Sequence, residues 1–288
     1  MAAKGIARMV IDRFSCPVAT HNPTVFLIQA MPVKKLVDYF PVIRLGDIGI
    51  ETGGTDIVAE GSSTYLICGL PVARQGVKLL HGGEILTGSP TEFDGGPTFS
   101  LPKNIKIGGA WPYKNKVVRD LYYLSQLPNG QKILDGIAAS GQEVIIVPGN
   151  GNMSNPDDPN AVKAGKGSST LVNYDPDDSS IYVEGENGQF VPCPPQLNLG
   201  HELIHAQRWG SGGGTTANST EEYYVIGPPY SPDWAKKMKK PPMRDPASPT
   251  ENGLHKDMGL KPRTGYGHKI DQANPAENKR PGECPGTP

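Results

Sequence analysis

Residues 197–210 read LNLGHELIHAQRWG, and the reading of this stretch decides what the second half of the chain is. His201 and His205 stand four apart, so on a helix they share one face and both imidazoles can reach a single cation. Glu202 lies about 100° round the helix from His201. That places it beside the cation, where a carboxylate can take a proton from bound water. Leu203, Ile204 and Ala206 would bury the helix, and the GSGGG run from Gly210 would stop it. The plainer alternative is an amphipathic helix that happens to carry two histidines, and companion residues have to separate the two.

A catalytic site of this kind takes a third protein ligand and leaves one position open. The segment Thr220–Gly227, TEEYYVIG, supplies candidates. Either Glu221 or Glu222 can ligate, with the other supporting a histidine Nδ1–H. The glycine-rich run before them reads as a flexible hinge that folds the segment back. An intact Glu202 favours catalysis over a purely structural metal, which needs no general base.

The chain has 288 residues with 36 glycines, 29 prolines and 36% hydrophobic residues, which predicts short strands, many turns and long loops rather than a helical bundle. A net charge of -1 gives no bulk electrostatic ground for a nucleic-acid partner or an anionic membrane. No apolar run approaches the ~20 residues of a membrane span. The start, MAAKGIARMVIDRFSC, lacks the apolar core of a signal peptide. The expected location is therefore the cytoplasm, until export by another route. Cys16, Cys68, Cys193 and Cys284 are widely spaced and form no CxxC pair, so disulfides are not expected.

The first hundred residues repeat. SSTYLICGLPVAR (Ser62–Arg74) aligns with NPTVFLIQAMPVKK (Asn22–Lys35), and GSPTEFDGG from Gly88 is a third, partial copy. The lead-in GGEILTGSPT from Gly82 matches GGTDIVAEGSST from Gly53. Each unit is one short strand between Gly/Pro turns, too small to bury a core alone but able to when copies stack. The run VIRLGD … EGSSTYLICGLPVARQG … HGGEILTGSPT resembles a PAAR domain, over about Met9–Gly96. The resemblance implies a small all-β cone that sharpens the VgrG-type spike trimer of a type VI secretion system and carries effectors into target cells. Such export needs no signal peptide. It also implies a tip zinc on Cys16, His21 and His81, with a fourth ligand unnamed. Gln75-Gly76-Val77 and Cys68 depart from the PAAR pattern.

Residues 98–115 read as a linker. KVVRDLYYLSQLPNGQKILDGIAAS then gives two helical stretches broken at Pro128-Asn129-Gly130, and QEVIIVPG a buried strand. GNMSNPDDPNAVKAGKG reads as a polar loop. SSTLVNYDPDD and SIYVEGENGQFVPCPP read as a hairpin turning at Asp-Pro-Asp-Asp. With the HELIH helix, this order fits an α+β, zincin-like metallopeptidase domain over 116–270. HELIHAQR, EEYYVIG and TENGLHKDMGLKPRTGYGH resemble the NleD-like metallopeptidase effectors and, less closely, the light chains of clostridial neurotoxins, over about Lys106–His268. That resemblance implies zinc on His201, His205 and Glu222, with Glu221 in support. It implies Glu202 as general base, and Arg263 and Tyr266 stabilising the oxyanion.

The expectation is thus two domains, PAAR-like at 1–97 and peptidase at 116–270. A tail at 271–288 should be disordered, and the Pro-rich tract Gly227–Pro249 should form a lid or an adaptor-binding loop. The expected function is a type VI effector whose tip delivers a zinc endopeptidase toxin to a protein substrate in the target cell, with an immunity protein as a further partner. Two alternatives stand beside it. One is a non-catalytic spike component with a structural zinc; the other is a housekeeping metalloprotease with an unrelated β domain.

Overall fold

The computed structural model describes residues 2–18, 22–237 and 245–275. His21, the middle of the expected lid and the expected tail from residue 276 on lie outside the described residues. The chain divides into two compact units. One holds the residues up to Leu101 together with Gly109–Arg119, and the other Pro102–Gly108 with Asp120 onward.

Up to Leu101 the regular structure is short strands: β1 (Lys4–Gly5), β2 (Asn22–Ile28), β3 (Leu36–Val37), β4 (Phe40–Pro41), β5 (Ile48–Thr52), β6 (Gly54–Ile57), β7 (Glu60–Ser62), β8 (Leu66–Ile67), β9 (Leu70–Pro71), β10 (Phe93–Asp94) and β11 (Thr98–Ser100). Three equivalent segments close a ring. Ile6 bridges Arg74, Arg8 bridges Val42, and Arg44 bridges Val72. Within the ring the Ala7 N–H donates to Ala73 O (2.9 Å), Ala73 N–H to Ile43 O (2.8 Å) and Ile43 N–H to Ala7 O (3.0 Å). All three residues are fully buried. A second set follows the same threefold pattern: Val10 N–H to Leu27 O (2.8 Å), Gly46 N–H to Val58 O (2.8 Å) and Gly76 N–H to Ile85 O (2.7 Å).

The repeat is therefore present, but its register differs from the sequence alignment. The partner of Thr64–Arg74 is Lys34–Arg44, not Asn22–Lys35. Both copies fold as a two-residue hairpin, β3–β4 and β8–β9. The turns, Asp38-Tyr39 and Cys68-Gly69, all sit at positive φ, as tight hairpins demand. The shared Pro-Val misled the alignment because Pro32-Val33 precedes the true copy at Pro41-Val42. The third copy is split: β10 pairs with β1 at the other end of the segment, with Phe93 opposite Gly5 and Asp94 opposite Lys4. Ser62 and Ser89 open equivalent turns, each Oγ accepting two backbone N–H bonds. Cys68 is disulfide-bonded, against expectation; sequence spacing does not reveal which distant cysteines meet. Cys16 and Cys193 are not disulfide-bonded.

The expected linker is largely structured. β11 pairs with β7, and β12 (Ile105–Ile107) joins the main sheet of the second unit. Next come α1 (Trp111–Ser125) and α2 (Pro128–Ser140). Pro128 opens α2 rather than merely breaking a helix, since proline suits a first turn whose N–H has no partner. The sheet continues with β13 (Val144–Pro148), β14 (Met153–Pro156) and β15 (Thr170–Tyr174), and α3 (Pro159–Lys163) lies between the last two. The expected polar loop thus contains a strand and a helix. Strand order is β12-β13-β15-β14, parallel except for the antiparallel edge strand β14. β15 has neighbours on both edges, so it cannot form the expected hairpin. The hairpin pairs β16 (Ile181–Glu184) with β17 (Phe190–Pro192) instead. Among the described residues four helices follow: α4 (Pro195–Gly210), α5 (Asn218–Ile226), α6 (Pro232–Lys237) and α7 (Glu251–Asp257). β18 (His268–Ile270) then returns to pair with β16. The protein is mixed α/β, and among its described residues no helix is long and apolar enough to cross a membrane.

Candidate metal centre

α4 carries the HELIH sequence and is buried at thirteen of its sixteen residues, so it is a core helix rather than a surface amphipath. Packing fixes its orientation. A Cβ at Gly200 would collide with the Leu254 side chain of α7. The close approach this glycine permits brings Glu251, in the first turn of α7, to 2.7 Å from His201 Nδ1. With Nδ1 so engaged, Nε2 is the nitrogen left to ligate. It faces His205 Nε2 at 3.2 Å.

α5 supplies the third donor. Glu222 Oε2 is 3.4 Å from His201 Nε2 and its Oε1 is 3.3 Å from His205 Nε2. These separations fit a tetrahedral zinc: ligand bonds of about 2.0–2.1 Å put neighbouring donors about 3.3–3.4 Å apart. Glu222 Oε2 is also buried without a hydrogen-bond partner, a costly state that a cation would relieve. The electrostatics agree. Burial alone would depress both imidazoles. Glu222 and Glu251 nonetheless carry His201 above its ordinary value, and Glu221 and Glu222 carry His205 up to about 10. The site therefore calls for positive charge.

Glu202 is 7% exposed, and one of its carboxylate oxygens accepts a 2.6 Å bond from the Ser154 hydroxyl on β14. A cleft of about 620 Å³ runs from β14 past His201, His205, Glu202 and Glu222 to Tyr266. Of the glutamate pair, Glu221 points the other way. It takes Arg208 Nε at 2.7 Å and Nη2 at 3.1 Å, and lies 3.8 Å from His205 Nδ1.

The glycine-rich run is no loose hinge. Gly213 and Gly214 N–H both donate to Arg208 O at 3.0 Å, and Trp209 Nε1 donates to Thr215 O at 3.2 Å. A Cβ at Gly214 would strike the Trp209 ring; here glycine serves close packing, not flexibility.

Arg263 also departs from its expected orientation. Its Nη1 binds Glu251 at 3.0 and 3.3 Å, Nε the Gly265 carbonyl at 2.8 Å and Nη2 the Tyr266 carbonyl at 3.1 Å. The guanidinium lines the cleft but stands behind His201, holding Glu251. Burial would raise the Glu251 carboxyl, yet Arg263 and His201 keep it well below the usual range. Tyr266 lines the cleft and is half exposed. Glu251 and Ser154 were not singled out in the sequence. The one sequence signal near Glu251 is a helix start, with Thr250 as N-cap before an acidic first turn.

A second cluster lies in the first unit. Cys16, Glu51 and His81 each offer a donor atom, all within 4.8 Å of one another. His81 Nδ1 is 3.8 Å from Glu51 and 3.7 Å from Asp56. Burial first, with Glu51 and Asp56 adding, pushes the Cys16 thiol up to about 11 against a backbone bond from Val18. Glu51 is a candidate donor that the sequence reading did not name, and His21 lies outside the described residues.

Two histidines and a glutamate thus converge beside a further glutamate in one cleft, a donor set that could hold a metal ion. The chain belongs to the Peptidase_M91 effector-protein family, whose model matches residues 102–266. No curated protein matches it in sequence. Among solved structures it is similar to the light chain of Clostridium botulinum neurotoxin serotype F (15% identity, TM-score 0.32, covering 44% of this chain and 47% of that one). A serotype F catalytic domain gives 14%, 0.34, 56% and 59%, and the serotype HA light chain 15%, 0.38, 54% and 65%. The chain thus spans less than two thirds of each of these.

Proposed function

We propose that this chain is a zinc-dependent, HExxH endopeptidase effector of the gluzincin-like kind. The observation that carries the reading is the convergence of His201, His205 and Glu222 beside Glu202 in an open cleft. These three residues would hold the zinc, which when bound lowers the pKa of a coordinated water and polarises the scissile carbonyl. Glu202 accepts the proton of the attacking water and passes it to the leaving amine. Ser154 holds one Glu202 oxygen and leaves the other to work. Glu251 orients His201, and Arg263 neutralises and fixes Glu251. The Tyr266 hydroxyl stabilises the oxyanion. Glu202→Gln should retain the metal and lower cleavage by about 10²–10⁴-fold, read as new N-termini in target-cell lysate by mass spectrometry. Cleavage at the wild-type rate would sink the assignment.

The first unit is best explained as a PAAR-like spike tip. Its threefold ring supports this, and so does its surface. Leu36, Leu66 and Phe93 occupy equivalent positions in the three copies and are 49%, 43% and 54% exposed. Three equivalent apolar residues suit a partner with threefold symmetry, here a VgrG-type spike trimer. Cys16 and His81, with Glu51 and His21, would hold a structural zinc. On this reading the protein waits in the bacterial cytoplasm, leaves by type VI secretion and cuts a protein in the target cell, with an immunity protein protecting the producer.

A further inference from the structure

We infer that Arg208 is the positioning residue of the third metal ligand; this rests on the metallopeptidase reading above. Glu222 can face both Nε2 atoms only if α5 is held at one rotation. α5 is nine residues long, and its N-cap, Ala217, makes no side-chain capping bond. Short helices are marginal without tertiary support. The support comes from the neighbouring residue. Consecutive helical residues point about 100° apart, so fixing Glu221 on one side fixes Glu222 on the other.

Arg208 grips Glu221 through two parallel bonds, Nε to Oε1 at 2.7 Å and Nη2 to Oε2 at 3.1 Å. Such a fork is geometrically specific in a way a point charge is not. The same guanidinium donates to the Gly213 carbonyl at 3.1 Å and lies 4.4 Å over the Tyr224 ring. Thr215 N–H completes the Glu221 shell at 2.8 Å. One side chain on α4, one turn beyond His205, therefore ties the connecting loop and two successive turns of α5 to the helix that bears both histidines. Glu221 and Arg208 do not touch the metal; they preset the angle of the residue that does.

The test is the zinc affinity of the full chain, by competition with a chromophoric chelator. His201→Ala/His205→Ala serves as blank for zinc bound elsewhere. Arg208→Ala should raise Kd by about 10–100-fold, the usual cost of losing an outer partner. Arg208→Lys, which keeps charge but not the fork, should recover only part. Glu221→Ala should add little on top of Arg208→Ala, because the two act as one unit. Thermal unfolding of the metal-free variants separates positioning from collapse: the Lys variant should melt like wild type while still binding zinc more weakly. A wild-type Kd in both Arg208 variants would overturn the clamp alone. Zinc binding in wild type no greater than in the blank would overturn the metallopeptidase reading and the clamp with it.

Discussion

The two donor clusters of this molecule are built for different work. In the second unit, both imidazoles have a carboxylate on the nitrogen turned away from the cluster: Glu251 at 2.7 Å from His201 and Glu221 at 3.8 Å from His205. A further glutamate, Glu202, stands at the cleft with its own hydroxyl partner. In the first unit the donors are one thiol, one imidazole and one carboxylate held on and between short strands. Thiolate ligands are typical of closed, structural zinc sites, whereas two histidines and a carboxylate leave a position for water. A further carboxylate and an open cleft are what a reactive cation site calls for, and among the described residues the HELIH cluster lies beside both.

The contrast extends to buried charge, and it predicts opposite pH responses. Glu251 is held well below its ordinary value in the fold. Its contribution is therefore present above the unfolded carboxylate pKa and is lost as pH falls. Asp47, in the first unit, is pushed up to about 6 by burial, against Arg44 and two backbone N–H bonds. Its proton stabilises the fold fully below the unfolded pKa, and that stabilisation is lost as pH rises through about 6. The largest expected effect is Glu251→Gln. It should cost on the order of 3–5 kcal/mol at neutral pH, because Arg263 is left buried and uncompensated, and the gap should close toward acid. Asp47→Asn should gain on wild type between pH 4 and 7, by on the order of 2–3 kcal/mol. Denaturant unfolding of the full chain across pH measures both, and equal signs would break the comparison. A smaller effect separates the units by function. Leu36→Asp/Leu66→Asp should weaken binding to a spike trimer by about tenfold, the loss of two apolar contacts, and leave peptide cleavage unchanged. Unchanged binding in a sedimentation assay would remove the docking face.

What was legible in the sequence was what helical periodicity alone displays. His201, Glu202 and His205 share a turn, so their spacing announces them, whereas Glu221 and Glu222 stood out only as a pair beside HELIH and the choice of Glu222 came from the family resemblance. Glu251 was hidden because its partners, His201 and Arg263, lie 50 and 12 residues away and meet it only in the fold. Ser154 was hidden because SNP looks like a loop, yet β14 gains its ladder from β15. The Asp-Pro-Asp-Asp turn was real, but which strands it joined depended on sheet edges already taken. In the first unit the repeat was visible and its register was not, since Pro-Val occurs both before and inside the second copy.

The most direct measurement is the zinc content of the full chain by elemental mass spectrometry, wild type against His201→Ala/His205→Ala. Loss of about one equivalent in the variant, with any remainder removed by Cys16→Ser/His81→Ala, is the predicted result. The same zinc content in wild type and His201→Ala/His205→Ala would contradict a metal at HELIH.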